Sequence, residues 1–310
     1  MLAYKDRPVT ARTREQGLRR REAMIGYLLA SPWFIGVLVF YLLPVFASVI
    51  ISFLHWDLLT PPVWKGVDNY SFMLTQDRIF WKSLGNTIYY TVFGVPIQLS
   101  FALSLALLLN QKVRGIAVFR TIFYLPSVTS GVAVAVLWTW LLHPDLGIVN
   151  EFLRAVGLPA PRWLYSVTWA KPALILMSLW SVGGTMIIFL AGLQGVPQHL
   201  YEAAKVDGAG RWRQFRSVTV PMLTPAIFFS LVTGVIGALQ VFTEAYVMTG
   251  GGPAESTLFY VYYLYNNAFV YLKMGYASAM AWVLFWLILG LTALQFAYAN
   301  RWVYYEGGLA

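Results

Sequence analysis

Two apolar stretches carry residues that could grip a polar solute: Ser178, Trp180, Ser181 and Thr185 in one, and Gly237, Gln240, Val241 and Glu244 in the other. Hydroxyls, an amide and a carboxylate can exchange hydrogen bonds with the hydroxyls of a sugar, and an indole offers a flat apolar face to its ring. Catalysis finds no comparable set. The chain has no cysteine, which excludes disulfides, thiolate nucleophiles and zinc-thiolate sites. His55, His143 and His199 fall in separate loops without carboxylates at ligand spacing, so no metal is expected. There is no Gly-x-Ser-x-Gly elbow, no pair of carboxylates inside an apolar run, and no Gly-x-x-x-x-Gly-Lys-Ser/Thr loop to cradle nucleotide phosphates. The expectation is a chain that binds and moves a solute, with no catalytic residue and no cofactor of its own.

A second group of residues lies in a polar segment, 196–221. Pro197 can open a helix, Tyr201-Glu202-Ala203-Ala204 supplies good helix formers with two small side chains, and Gly208 or Gly210 can close it in the left-handed conformation. A second, basic-aromatic helix is expected to follow and to end at Pro221. Such a helix-turn-helix knob can seat in the groove of a partner.

The elements that must position these residues follow from composition. Hydrophobic residues make up 59% of the chain and charged residues 11%, against roughly 25% charged in ordinary soluble domains. Too few charges remain to cover a surface that faces water on all sides, so the surrounding solvent is largely lipid. A helix needs about 20 apolar residues to cross the hydrocarbon layer, and six runs qualify: 24–53, 83–109, 121–142, 172–194, 222–248 and 276–300. The predicted fold class is therefore all-α, a polytopic protein of six transmembrane helices. The organisation reads as a basic tail at 1–23, a six-span domain at 24–300 and a short tail at 301–310. The tail at 1–23 is expected to be flexible or to lie as a surface helix on anionic lipid.

Lys and Arg alternate in abundance from one connection to the next. Fifteen of the 22 fall in the N-terminal tail, the 110–120 loop, the 196–221 loop and the C-terminus, and the other seven in loops that also hold six acids. Cytoplasmic segments retain the excess of basic residues, so both termini and the 196–221 knob are expected in the cytoplasm. The net charge of +9 is spread over these loops in a way that suits an anionic membrane surface and not nucleic acid. Within the spans, Ser178, Trp180, Ser181, Gly183, Gly184 and Thr185 suggest a loosened helix. Gly234, Gly237, Gln240, Val241 and Glu244 share one face at three-and-four spacing. The same small residues also permit close helix packing.

The segment Glu202-Ala203-Ala204, then Gly208, then Val218-x-Val220-Pro221 resembles the EAA loop of the ABC importer permeases. Gly251-Gly252-Pro253 and Met274-Gly275-Tyr276-Ala277-Ser278-Ala279 extend the likeness over most of the chain, toward the carbohydrate-uptake class that includes maltose and glycerol-phosphate permeases. Unlike the maltose permease, the chain lacks two extra N-terminal spans and a large extracytoplasmic insertion. The resemblance implies a type I importer permease fold in a bacterial inner membrane. It also implies a second permease subunit, two cytoplasmic ATPase subunits carrying ATP and Mg, an extracytoplasmic solute-binding protein and a sugar-like solute. Tyr201, Glu202, Ala203, Ala204, Asp207, Gly208 and Pro221 become the expected coupling residues, with Glu202 offered to an arginine of the ATPase. The rival reading is a self-sufficient secondary transporter or channel, for which Glu244 is the sole ionised group inside the spans.

Overall fold

The computed structural model describes residues 9–111 and 113–304. Among the described residues, four helices are long and apolar enough to cross a membrane: Arg19–Ser52, Arg78–Leu109, Arg211–Leu239 and Met274–Ala299. Two more spans are bent pairs, Ile116–Val128 with Gly131–Leu141 at 101° and Ala170–Ser181 with Gly183–Gly195 at 52°. In chain order these are spans one to six, and helices satisfy their own backbone groups where lipid cannot. The one sheet among the described residues is a two-residue hairpin, Leu54–His55 against Val63–Trp64, directly after span one.

Three features depart from the expected pattern. Span three is not straight. Pro126 opens a 3-10 turn at Leu125–Val128, and Thr129 and Ser130 then turn extended before the helix restarts at Gly131, because proline removes a backbone donor and fixes its own φ. Span five does not reach Met248, since its helix ends at Leu239 and helical structure resumes only at Thr243. The second loop helix does not end at Pro221. A wide π-type turn at Phe215–Thr219 joins Arg211–Gln214 to Val220–Leu239, and Pro221 sits in the first turn after it, where its missing N–H does no harm.

The helix of span one also reaches back to Val9, so residues 9–23 continue that span. Residues 1–8 and 305–310 of the two expected tails, and Lys112 of the basic loop, lie outside the described residues. In the loop between spans three and four, a short helix, Ile148–Ala155, follows Gly147.

Span two is the hub of the bundle, packed against both halves of span four and against span five, while span six packs on the end of span one and on span five. Lipid gives no hydrophobic drive to helix association, so close fit must do it. Ala102 and Ala106 of span two are fully buried. A Cβ on Gly192 would come within 2.7 Å of the Leu223 side chain, and one on Gly234 within 3.3 Å of Val95. Two large buried clusters and a smaller one at Phe228, Val232 and Ala299 result among the described residues. Of the large ones, one gathers Phe80, Tyr90, Val95, Tyr260, Tyr276 and Met280, and the other Ala102, Ala106, Met186, Phe189 and Leu223.

A buried carboxylate pins one end of this scaffold. Asp77 caps span two by accepting from the N–H groups of Ile79 and Phe80, as an N-cap should. Its second oxygen accepts the hydroxyls of Tyr263, at 2.7 Å, and Tyr276. Four donors thus satisfy a carboxylate that is only 6% exposed. At the same end, Gly275 lies so close to the hairpin that a Cβ would overlap the Leu54 carbonyl.

Candidate functional site

Along span two, Val95 belongs to one large buried cluster and Ala102 to the other. Between them, at Gln98, a cavity of about 430 Å³ opens, within the usual range for a small-molecule pocket. Span two contributes Tyr90 and Gln98, span four Met177, Ser178 and Ser181, and span five Gly234, Gly237 and Ala238 with Gln240 through Glu244 beyond its end. Gln98 Nε2 donates to Ser178 Oγ at 2.7 Å, and that hydroxyl donates to the Ile175 carbonyl at 2.6 Å.

Two helix breaks border this space. Span four narrows to a 3-10 turn at Leu179–Ser181 before the helix restarts at Gly183. Span five stops at Leu239, with the Gln240 N–H bonded to the Gly237 carbonyl at 3.1 Å, and Val241 and Phe242 are not helical. Irregular backbone at membrane depth persists only where protein buries it or an aqueous cavity hydrates it, and both breaks meet that condition here. The bend of span three packs against the bend of span four. A Cβ on Gly183 would come within 2.5 Å of the Phe123 carbonyl and 2.8 Å of Tyr124 Cα, so only glycine allows this approach.

Of the eight solute-path residues expected from sequence, Ser178, Ser181, Gly237, Gln240, Val241 and Glu244 line the cavity. Glu244 reaches it across the break and not along one helix face, because the helix that would have carried the face ends at Leu239. Trp180 and Thr185 lie outside the lining. Trp180 stands edge-on to Trp138, ring centroids 6.1 Å apart, and Thr185 is half-buried in the helix beyond the bend. Sequence reasoning missed Tyr90, Gln98, Phe242 and Thr243. Gln98 carried a usable signal, an amide inside an apolar run, the same sign that pointed to Gln240.

The loop between spans four and five is a compact knob. Its first helix is Gln198–Val206, introduced by Pro197. Gly208, at φ +76°, turns the chain and donates to the Lys205 carbonyl, while Ala209 N–H reaches the Ala204 carbonyl at 2.8 Å. Tyr201 and Thr219 share a hydroxyl hydrogen bond of 3.0 Å, and Gln214 Nε2 donates to the Ala209 carbonyl. These bonds fasten the knob to the base of span five. Glu202, Ala203 and Asp207 are exposed, as are Val206 and Trp212. From Arg211 the chain stays helical to Leu239, 29 residues or roughly 44 Å at 1.5 Å per residue. One continuous rod therefore joins the knob to the cavity wall.

A second cavity, about 450 Å³, lies at the hairpin end among Trp56, Lys65, Asp68, Tyr271, Lys273 and Tyr276. Asp57, also in its lining, accepts from the Thr60 N–H, the Thr60 hydroxyl and the Leu59 N–H. The bonds from Thr60 above all hold its carboxyl below the ordinary carboxylate range. Among the described residues, no three His, Cys, Asp or Glu side chains group as metal ligands.

The family described as binding-protein-dependent transport system inner membrane component matches residues 98–304, a stretch that includes both breaks at the cavity and the whole knob. The chain is 45% identical over 291 residues to the probable ABC transporter permease protein YesP of Bacillus subtilis (strain 168), covering 93% of this chain and 94% of that one. It is 38% identical over 298 residues to the lactose transport system permease protein LacF of Rhizobium radiobacter, covering 94% and 99%. A crystal structure of a bacterial ABC transporter involved in the import of the acidic polysaccharide alginate matches at 25% identity with a TM-score of 0.79, covering 93% of this chain and 99% of that one.

Proposed function

The chain belongs to the binding-protein-dependent transport system inner membrane components, and from that premise we propose that it carries a sugar or related polar solute through the cavity between spans two, four and five. It is a permease subunit, and in this family ATP hydrolysis resides in separate subunits. The observation that carries the proposal is the rod. A helix that begins in the exposed knob ends at Gln240, in the wall of the cavity. Movement imposed on the knob must arrive where the solute sits.

In this reading two cytoplasmic ATPase subunits, holding ATP and Mg, seat the knob, and their closure drags Glu202 through Gly208. Glu202 meets an ATPase arginine in a charge-assisted bond. The breaks at Leu179–Ser181 and Gln240–Phe242 act as hinges, so that spans four and five rock about span two and open the cavity to alternate sides. A second permease subunit closes the other half of the path, and an extracytoplasmic binding protein delivers the solute. The knob and both termini face the cytoplasm, where the basic residues lie. The sugar assignment draws on the mixed lining of hydroxyls, amides and rings and on relatives such as the lactose permease.

The test is reconstitution of the full complex in vesicles. Glu202→Ala is expected to insert and fold normally, yet to lose at least about 90% of ATP-dependent uptake, as loss of a charge-assisted contact of about 1.5–3 kcal/mol predicts. Normal uptake by that variant, or uphill uptake by the chain without ATPase partners, would overturn the coupling role.

A further inference from the structure

The cavity of about 450 Å³ at the hairpin end takes no part in the rod or its hinges. Three segments wall it: the hairpin after span one, the helix Asp68–Thr75, and the stretch from Tyr271 into span six. Asn69 Nδ2 ties that helix to the hairpin through the Ser52 and Leu54 carbonyls, at 2.8 and 2.9 Å. The Lys273 N–H is held by the Asn267 carbonyl at 2.7 Å. Four non-glycine residues among those described take a positive φ, and the two bulky ones, Leu58 at +65° and Leu272 at +56°, each adjoin lining residues of this cavity. Leucine resists that conformation, and such strain gathers at ligand clamps. At Leu272 it turns the chain so that Tyr271 and Lys273, on either side, both line the same space.

The charges in the lining are left open. Asp57 is occupied by its own turn, where Thr60 and Leu59 donate to it. Among the described residues the ion pairs are Lys82 with Glu255 and Arg154 with Glu151, and the charged groups of Lys65, Asp68 and Lys273 have neither an ion pair nor a hydrogen bond. Two cations and one anion thus share a small cavity without neutralising one another. A guest that satisfies them carries both signs, an anionic group for the two ammoniums and a primary ammonium whose N–H bonds Asp68 accepts. The apolar wall of Trp56, Phe72 and Tyr271 takes its carbon atoms. Depth agrees with this. Span one ends at Ser52 and span six begins at Met274, so the lining sits where helices leave the hydrocarbon, at the level of lipid headgroups and of tryptophan and tyrosine belts. Trp64 and Val67 beside it are each 64% exposed, an apolar surface on which acyl chains can lie.

We propose that this cavity binds a phosphoethanolamine group, with its phosphate between Lys65 and Lys273 and its ammonium on Asp68. The group arrives as the headgroup of a phospholipid or as a free ester of the same chemistry. Bound there, it bridges the hairpin to the start of span six.

Native mass spectrometry of the assembled complex, delipidated and then titrated with phosphatidylethanolamine, phosphatidylcholine or phosphatidylglycerol, counts the lipid retained. Lys65→Met and Lys273→Met are each expected to lose one bound phosphatidylethanolamine, with affinity down roughly tenfold. Asp68→Asn is expected to keep that lipid but to bring its preference over phosphatidylcholine below about twofold. All three side chains are exposed, so the lipid-free complex should melt as wild type does. Lys82→Met, which removes a paired lysine on the same side of the bundle, is expected to leave the count unchanged. Displacement of the lipid by free phosphoethanolamine marks a soluble ester as the source, and failure to displace it marks the membrane; the site stands in both cases. Equal binding of the three lipids by wild type overturns it, as does an equal loss in Lys82→Met. Weaker docking of the solute-binding protein by Lys65→Met, with lipid binding intact, makes this face a protein surface and overturns it too.

Discussion

Span two keeps its helix from Arg78 to Leu109 straight through Pro96, whereas span five passes Pro225 and then gives up its helix at Gln240, where there is no proline. Composition alone would place the break the other way round. Span two is the hub, with span four and span five packed on it, while Pro96 and Val92, whose carbonyl it frees, lie on the outward, exposed face of that span, where a lipid surround offers the freed carbonyl no water to bond. Gly237 and Gln240 face an opening, where hydrated backbone can leave the helix at little expense. In this bundle the surroundings of a helix, more than its breakers, decide where it bends. The packed spans form a scaffold, pinned by Asp77 at one end, and the bent spans form the moving wall.

This contrast can be broken by filling contacts on each side. Gly183→Ala should be the most damaging, because its Cβ would strike backbone of span three; a loss of about 1–3 kcal/mol should lower the melting temperature in detergent by several degrees. Gly237→Ala meets open space and should leave melting unchanged or slightly raised, since alanine favours helix by about 1 kcal/mol. Equal melting of the two variants would argue against the packed-hinge account.

Asp77→Ala probes the scaffold alone. It strands the hydroxyls of Tyr263 and Tyr276 and removes the cap of span two, for a loss of about 1–3 kcal/mol. Melting should fall while the ratio of solute moved to ATP hydrolysed stays constant in the molecules that remain folded. A changed ratio would place Asp77 in the moving part.

Gln98→Ala probes the wall. The amide bonds Ser178, and its loss should raise KM several-fold, about 1 kcal/mol of binding, with melting nearly unchanged. The smallest expected effect belongs to Thr219→Val, which removes the Tyr201 bond worth about 0.5–1.5 kcal/mol; it should loosen the knob and reduce uptake per ATP without lowering insertion.

Spans and knob were legible in the sequence for a plain reason. Lipid imposes apolar runs of fixed length, and Pro197, Gly208 and the small residues Ala203 and Ala204 state their local geometry directly. The breaks were less legible. Gly183 suggested a loosened helix, but its purpose, contact with Phe123 and Tyr124, depends on another span. Gln240 looked like one member of a continuous face, because nothing local marks it as a terminus. The latch at Asp77 was invisible, since its tyrosines lie 186 and 199 residues away in the chain. Trp180 looked like a sugar platform by type, and the structure places it outside the cavity lining, nearly half exposed and T-shaped against Trp138.

The central claim is that the knob and span five up to Leu239 move as one body against span four. The chain has no cysteine, so introduced pairs can carry spin labels without interference. Trp212→Cys with Phe229→Cys marks two exposed points on the rod, roughly 26 Å apart along an unbroken helix. Phe229→Cys with Leu176→Cys marks the rod against span four. Pulsed distance measurements on the assembled complex, with and without a non-hydrolysable ATP analogue, should show the first distance constant and the second displaced. A first distance that shifts or broadens on nucleotide binding, beside a second that holds still, would contradict the account.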